Sequence, residues 1–284
     1  MITVEKLYHS YNKDEQYQVN DVSFTIAQGE IFGFLGPNGA GKSTTQKILT
    51  GLLPLQRGQV VIAGEEIRQA GRHIFNQIGV SFEQPNVYKK LTGLENLNFH
   101  RGLYDVETAD PLLLLRHFGL EEAANKRVST YSKGMQQRLV LARSLLNQPR
   151  IWFLDEPTAG LDPNSAQQVR QLIRQKQNEG VTIFLTTHDM HVADSLCDRI
   201  AFLDEGRIVA LDTPRSLKLK HGKQSLQVEY RLNGRTDTLY LNQSDSQDRQ
   251  RLLQLMESGQ VETVHSQEAT LEAVFIDLTG RGLG

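Results

Sequence analysis

Residues 36–43 read Gly36-Pro37-Asn38-Gly39-Ala40-Gly41-Lys42-Ser43, a match to G-x-x-x-x-G-K-[ST], the phosphate-binding P-loop. The flanks suit it. Ile31, Phe32, Phe34 and Leu35 form an apolar run fit for a buried strand, and Lys42 to Thr50 reads as a helix stopped by Gly51 and Pro54. A strand, a glycine-rich turn and a helix N-terminus are what a phosphate needs: the glycines let backbone N–H groups converge, and the helix dipole adds partial positive charge. An ordinary glycine-rich turn would have no use for Lys42 and Ser43. With Thr44, the whole of Gly36, Pro37, Asn38, Gly39, Ala40, Gly41, Lys42 and Ser43 is the candidate nucleotide cradle.

Composition sets the class. The chain has 284 residues, 39% hydrophobic and 23% charged, which predicts a packed core in one large domain plus a small one. No apolar run approaches the ~18 residues needed to span a bilayer. The start, Met-Ile-Thr-Val-Glu-Lys, carries no apolar signal region. Cys197 is the single cysteine, so an internal disulfide and a cysteine zinc site are excluded. A net charge of −2 provides no footprint for nucleic acid, and none is expected as a partner.

A P-loop serves many chemistries, and three further segments narrow them. Ile151-Trp152-Phe153-Leu154 is a buried-strand run ending in Asp155-Glu156, at the end where doubly wound sheets place ligands. Asp155 is suited to hold Mg²⁺ beside the Ser43 hydroxyl. Glu156 is suited to orient and deprotonate an attacking water. Val181 to Leu185 is another such run, and His188 lies just past it, within reach of a γ-phosphate. Gln84 ends a third, Ile78 to Phe82, before Pro85 breaks it.

Tyr131-Ser132-Lys133-Gly134-Met135-Gln136-Gln137-Arg138 opens a helix whose apolar residues Met135, Leu139, Ala142 and Leu146 keep helical spacing. Ser132 is a good N-cap, and a Ser–Gly pair at a helix start makes a second anion site in the same chain. Two half-sites in one chain suggest a dimer that sandwiches nucleotide.

In this order the motifs make the chain resemble the ATP-binding subunits of ABC transporters over roughly residues 1–215. The matching motifs are Tyr11, the P-loop, Gln84, the Tyr131–Met135 signature, Asp155-Glu156, the Ala159-Gly160-Leu161-Asp162 loop and His188. The signature departs from the family's most frequent Leu-Ser-Gly-Gly-Gln at Tyr131, Lys133 and Met135, a form similar to exporter ATPases of drug and polysaccharide type. The resemblance implies an α/β P-loop NTPase cassette with a β-rich nucleotide-binding core and a helical subdomain at about 90–145. It implies an ATPase domain over 1–214, with 215–284 as a small α+β extension.

Implied site roles follow the motifs. Tyr11 stacks on adenine, with Tyr8 and Tyr17 as neighbouring candidates. Lys42 neutralises phosphates, and Ser43, Asp155 and Gln84 serve Mg²⁺. Glu156, His188 and Gln84 serve hydrolysis. Ser132, Gly134 and Asp162 join the nucleotide-binding set, Ser132 and Gly134 reaching the partner's γ-phosphate. Implied cofactors are ATP and Mg²⁺. Implied partners are a separate transmembrane permease, met by residues 85–89, and a second copy or paralogue, with the subunit peripheral on the cytoplasmic face. Two alternatives remain: a soluble ABC ATPase of translation, which would normally carry two cassettes in one chain, and one of chromosome maintenance, whose cassette a long coiled coil interrupts; this chain has one uninterrupted cassette and no long heptad run.

Within the helical part, Leu112, Leu113, Leu115, His117 and Phe118 are expected to pack. Beyond Pro214, Leu226, Val228, Tyr230 and Leu232 alternate with polar residues, and after Asn233-Gly234 come Leu239 and Leu241, a hairpin signal. Residues 247–258 read as an amphipathic helix, Val261 and Val264 as a short strand, and 269–278 as a helix presenting Leu271, Val274, Phe275 and Leu278.

Overall fold

The run Ile31–Leu35 is buried along its whole length, as a strand covered on both faces must be. The same holds for Ile151–Asp155 and Thr182–Thr187. These three form the middle of the structure, a computed structural model that describes residues 1–12, 16–222, 225–232, 235–242, 245–267 and 269–282. The chain divides into two compact units between Leu211 and Asp212.

In chain order the first unit contains β1 (Ile2–His9), β2 (Val19–Ile26), β3 (Ile31–Leu35), α1 (Lys42–Leu49), β4 (Arg57–Ile62), β5 (Glu65–Glu66) and β6 (Ile78–Ser81). Then follow α2 (Gly93–Arg101), α3 (Pro111–His117), α4 (Lys133–Arg143), β7 (Ile151–Asp155), α5 (Pro163–Asn178), β8 (Thr182–Thr187), α6 (Met190–Leu196), β9 (Arg199–Asp204) and β10 (Arg207–Asp212). One sheet has the order β2-β1-β4-β5 and is antiparallel; the other has the order β10-β9-β3-β8-β7-β6. In the second, β3 runs parallel to β8 and β9, and β7 runs parallel to β6 and β8.

Phenylalanines join the two sheets. Phe24 of β2 stacks on Phe32 at 5.2 Å between ring centroids, and Phe184 lies 5.5 Å from Phe34 and 5.7 Å from Phe153. Phe32, Phe34, Phe153 and Phe184 are fully buried. Truncating any of them to Ala removes a ring from a closed core, at a cost of about 3–5 kcal/mol.

Helix starts follow capping chemistry. Thr92 and Glu95 form a reciprocal capping box on α2, and Asp110 accepts from Leu112 and Leu113 N–H with Pro111 in the first turn of α3. The α3 face differs from expectation. Leu114, Leu115 and Phe118 are buried, whereas Leu112, Leu113 and His117 are exposed. The 3.6-residue period explains this, because Pro111, Leu114, Leu115 and Phe118 share one stripe and the others face away. Helix α4 ends at Arg143, so Leu146 is buried just beyond it rather than on its face.

The second unit contains α7 (Pro214–His221), β11 (Ser225–Leu232), β12 (Arg235–Asn242), α8 (Ser246–Glu257), β13 (Val261–Gln267) and α9 (Leu271–Thr279). Its sheet has the order β12-β11-β13, antiparallel, with Val228 opposite both Leu239 and Val264. The expected turn at Asn233-Gly234 lies outside the described residues. Helix α9 buries Leu271, Val274 and Phe275 and packs against α7. Helix α8 forms where it was expected, but none of its residues is buried, and Leu253 and Met256 are exposed.

Candidate functional site

Strand register explains why distant segments meet. Leu35 of β3 pairs with Thr187 of β8, and Asp155 of β7 pairs with Thr186. Gly36, Glu156 and His188 therefore leave three neighbouring parallel strands at the same edge, the carboxyl edge where α/β sheets bind ligands.

The P-loop backbone admits only glycine at key points. Gly39 and Gly41 have φ of +83° and +103°. A Cβ on Gly36 would lie 2.1 Å from the Leu203 carbonyl oxygen, and one on Gly41 would lie 2.3 Å from that of Gln18. The buried Lys42 bends back over the loop, and its Nζ donates to the Gly36 and Pro37 carbonyls at 2.6 and 2.9 Å. Burial lowers the Lys42 pKa, opposed by the charges of Glu156, Asp155 and Glu83. A buried ammonium whose bonds are to two loop carbonyls, in a loop whose backbone requires glycine at 36, 39 and 41, suits a phosphate that takes over those bonds.

The two carboxylates are held differently. Ser43 Oγ donates to Asp155 Oδ1 at 3.5 Å, and Thr186 Oγ1 donates to the same oxygen. Among the described residues Oδ2 carries no hydrogen bond. Glu156 Oε1 accepts from His188 N at 2.8 Å and lies 2.6 Å from His188 Nδ1, while Oε2 accepts from Thr187 Oγ1 at 2.9 Å. Three of about four acceptor positions of Glu156 are thus occupied, and one on Oε2 remains for a water. Glu156 is 6% exposed and has a φ of +47°, unusual for a residue with a side chain.

The structure thus brings Lys42, Ser43, Asp155, Glu156 and His188 together. Tyr11 joins at the rim: its hydroxyl lies 3.1 Å from Thr44 Oγ1, and its ring is half exposed beside His9. Tyr8 and Tyr17 instead pack on each other, with Arg57 over Tyr8. Gln84 is exposed three residues past β6.

The signature and the 159–162 loop form a separate cluster. Ser132 caps α4 by accepting from Met135 N at 3.2 Å. A Cβ on Gly134 would meet Leu161 at 3.6 Å, and one on Gly160 would meet Lys133 Nζ at 3.1 Å. Asp162 Oδ1 accepts from Ser165 N at 3.0 Å and caps α5, and the bonds from Ser165 hold its pKa low. Among the described residues no hydrogen bond joins Ser132, Gly134 or Asp162 to the Lys42 cluster.

Sequence reading left out Thr186, Thr187 and Glu83. The available signal was pairwise: two threonines end β8 beside two carboxylates that end β7. The strand was expected to stop at Leu185 but continues to Thr187, because Thr186 and Thr187 still pair with β3, and their hydroxyls meet Asp155 and Glu156.

A P-loop on a parallel sheet, with a carboxylate pair at its carboxyl edge, defines a P-loop nucleotide-hydrolase fold. Comparison with known proteins narrows the class. The ABC transporter family model matches residues 19–159. A fluoroquinolones export ATP-binding protein of Mycobacterium tuberculosis (strain CDC 1551 / Oshkosh) is 48% identical over 284 residues, 100% of this chain and 94% of that protein. The lantibiotic transport ATP-binding protein SrtF of Streptococcus pyogenes is 37% identical over 209 residues, 74% of this chain and 89% of that one. A solved ATP-binding subunit of an ABC transporter superposes with a TM-score of 0.71 at 30% identity, covering 78% of this chain and 93% of that one. A dimeric, post-hydrolysis ATP-binding cassette bound to ADP and Pi superposes with a TM-score of 0.69 at 29% identity, covering 75% and 98%. The chain belongs to the ABC transporter family as an ATP-binding subunit and is an ATPase. Among the described residues no helix is long and apolar enough to cross a membrane.

Proposed function

We propose that this ATPase drives export through a separate transmembrane permease, on whose cytoplasmic face it sits, and that it works as a pair with a second copy or a paralogue. The observation that carries the reading is that one chain builds half of a site. Lys42, Asp155, Glu156 and His188 converge on a P-loop, while Ser132 and Lys133 are exposed and bond to none of them. A second subunit offering its Ser132 and Gly134 completes the enclosure of the γ-phosphate. The curated relatives' names, export and transport ATP-binding proteins, support export.

Within that pair Lys42 neutralises the β- and γ-phosphates, and Tyr11 offers a ring to the adenine. Among the described residues no cluster of three or more His, Cys, Asp or Glu forms a closed metal cage. Ser43 and Asp155, with Gln84, would hold Mg²⁺ in the open manner that suits a metal bound mainly by phosphate and water. When bound there, the metal would supply charge neutralisation. Glu156 takes the proton of the attacking water at its open Oε2 position. His188 steadies Glu156 through Nδ1 and leaves its exposed ring edge for the γ-phosphate, and Gln84 senses the same group. Asp162 contributes to this surface as the cap that shapes the loop beside Ser132.

The reading is tested by mixing two inactive proteins. Ser132→Arg blocks docking on the partner's γ-phosphate, and Lys42→Ala disables phosphate binding. Their mixed pair places both defects in one site and leaves the other intact. ATPase activity recovered in the mixture, against two inactive parents, is the expected result. A mixture as inactive as its parents means that each subunit builds its own site.

We assign residues 215–284 to an accessory role, since no nucleotide motif lies among them. A chain lacking residues 216–284 should bind ATP with unchanged affinity by fluorescence titration. Loss of binding in a folded truncation would put the second unit in the nucleotide site.

A further inference from the structure

The loop that follows Gln84 is held by two buried polar side chains. Arg143, in the last turn of α4, is 7% exposed. Its Nη1 donates to Asn86 O at 2.8 Å and its Nη2 to Asn86 Oδ1 at 2.5 Å. His100 Nε2 lies 3.4 Å from Nη1. Burial, then the Arg143 charge, pushes the His100 pKa down to about 4, so its ring is neutral and accepts. Among the described residues no carboxylate pairs with Arg143. A buried cation without a counter-charge is costly, and such a group is kept for the hydrogen bonds it makes.

The second clamp is Asn96 of α2, 1% exposed. Its Oδ1 accepts from Tyr88 N at 2.9 Å, and its Nδ2 donates to Tyr88 O at 3.0 Å and Thr92 O at 2.8 Å. Asn86 is exposed and Tyr88 half exposed, its ring edge-on to Phe99 at 5.0 Å, so the hydrogen bonds and this ring contact together hold the loop. Asn86 is two residues from Gln84, a reach of only about 7 Å along the chain.

We propose that Arg143 and Asn96 are positioning residues, which lock the loop to α4 and α2 so that Gln84 is presented to the γ-phosphate. Helix α4 carries Ser132 at one end and Arg143 at the other, about 16 Å apart along its axis. The proposal rests on the reading of Gln84 as a γ-phosphate sensor.

The test uses the purified full-length chain, with kcat and ATP affinity measured for Asn86→Ala, Arg143→Lys, Gln84→Ala and Asn86→Ala combined with Gln84→Ala. Asn86 is exposed, so its truncation empties no core, and Lys keeps the charge at 143 but cannot form the two-pronged bond. Both variants should lower kcat about 10- to 100-fold, the range that misplacement of a positioning group costs, at unchanged ATP affinity. Adding Asn86→Ala to Gln84→Ala should lower kcat no further, because both act through one side chain. Wild-type kcat in Asn86→Ala and Arg143→Lys beside a slow Gln84→Ala overturns the clamp and leaves the Gln84 role standing. Fully additive losses also overturn it. Wild-type kcat in Gln84→Ala removes Gln84 from the proposed mechanism, and the clamp's purpose with it.

Discussion

Glu156→Gln should bind ATP as the wild type does and hydrolyse it about 10²–10⁴ times more slowly, the cost of losing a positioned general base. The geometry makes this substitution a clean one. Gln is isosteric, and its carbonyl oxygen can accept from His188 N and Nδ1 as Glu156 Oε1 does. Its amide nitrogen would face Thr187 Oγ1, a hydroxyl that can turn from donor to acceptor. The left-handed backbone at 156 is unaffected, so the thermal midpoint should change little. What disappears is the acceptor at Oε2 that remained for water. Lys42 and the P-loop are untouched, so nucleotide titration should give the wild-type affinity. In the proposed cycle ATP closes the pair and hydrolysis releases it, so size-exclusion chromatography with ATP should show a stable dimer for the mutant alone. Turnover at the wild-type rate would take Glu156 out of the mechanism.

How much of this was legible in the sequence depends on whether a feature is local. The P-loop was, because strand, turn and helix start are contiguous and Gly39 and Gly41 answer to their own φ; the Leu203 and Gln18 carbonyls that also exclude a Cβ at Gly36 and Gly41 come from distant segments. The strand ends at Asp155 and near His188 were legible as apolar runs that stop at polar residues. Their adjacency was not. It follows from the β3–β8–β7 order and the pairing of Asp155 with Thr186, which no local pattern encodes. The threonines that hold the carboxylates went unread for the same reason. Asp162 shows the converse: a motif residue whose carboxylate does the ordinary work of a helix cap. The exposed Leu112 and Leu113 show that hydrophobicity without attention to phase misplaces a helix face. Arg143 had no signal at all, since a lone arginine in a helix's last turn usually serves the dipole and solvent.

Lys42→Ala should weaken ATP binding by roughly two orders of magnitude. A hydrogen bond to a charged group contributes about 1.5–3 kcal/mol, and an ammonium that moves from the Gly36 and Pro37 carbonyls onto two phosphates makes more than one. Electrostatics adds to the loss. Asp155, Glu156 and Glu83 all act on Lys42, so removing it leaves acidic side chains facing a polyanion without the Lys42 charge to offset them. Lys42→Met, which keeps most of the stem's volume, separates charge from packing: it should weaken ATP binding as much as Ala does, while keeping more of the wild-type thermal stability. Calorimetric titration with ATP decides. Wild-type affinity in both variants would mean that the backbone N–H groups between Gly36 and Ser43, with the α1 dipole, hold the phosphates unaided, and the Lys42 ammonium would then be only a brace for the empty loop.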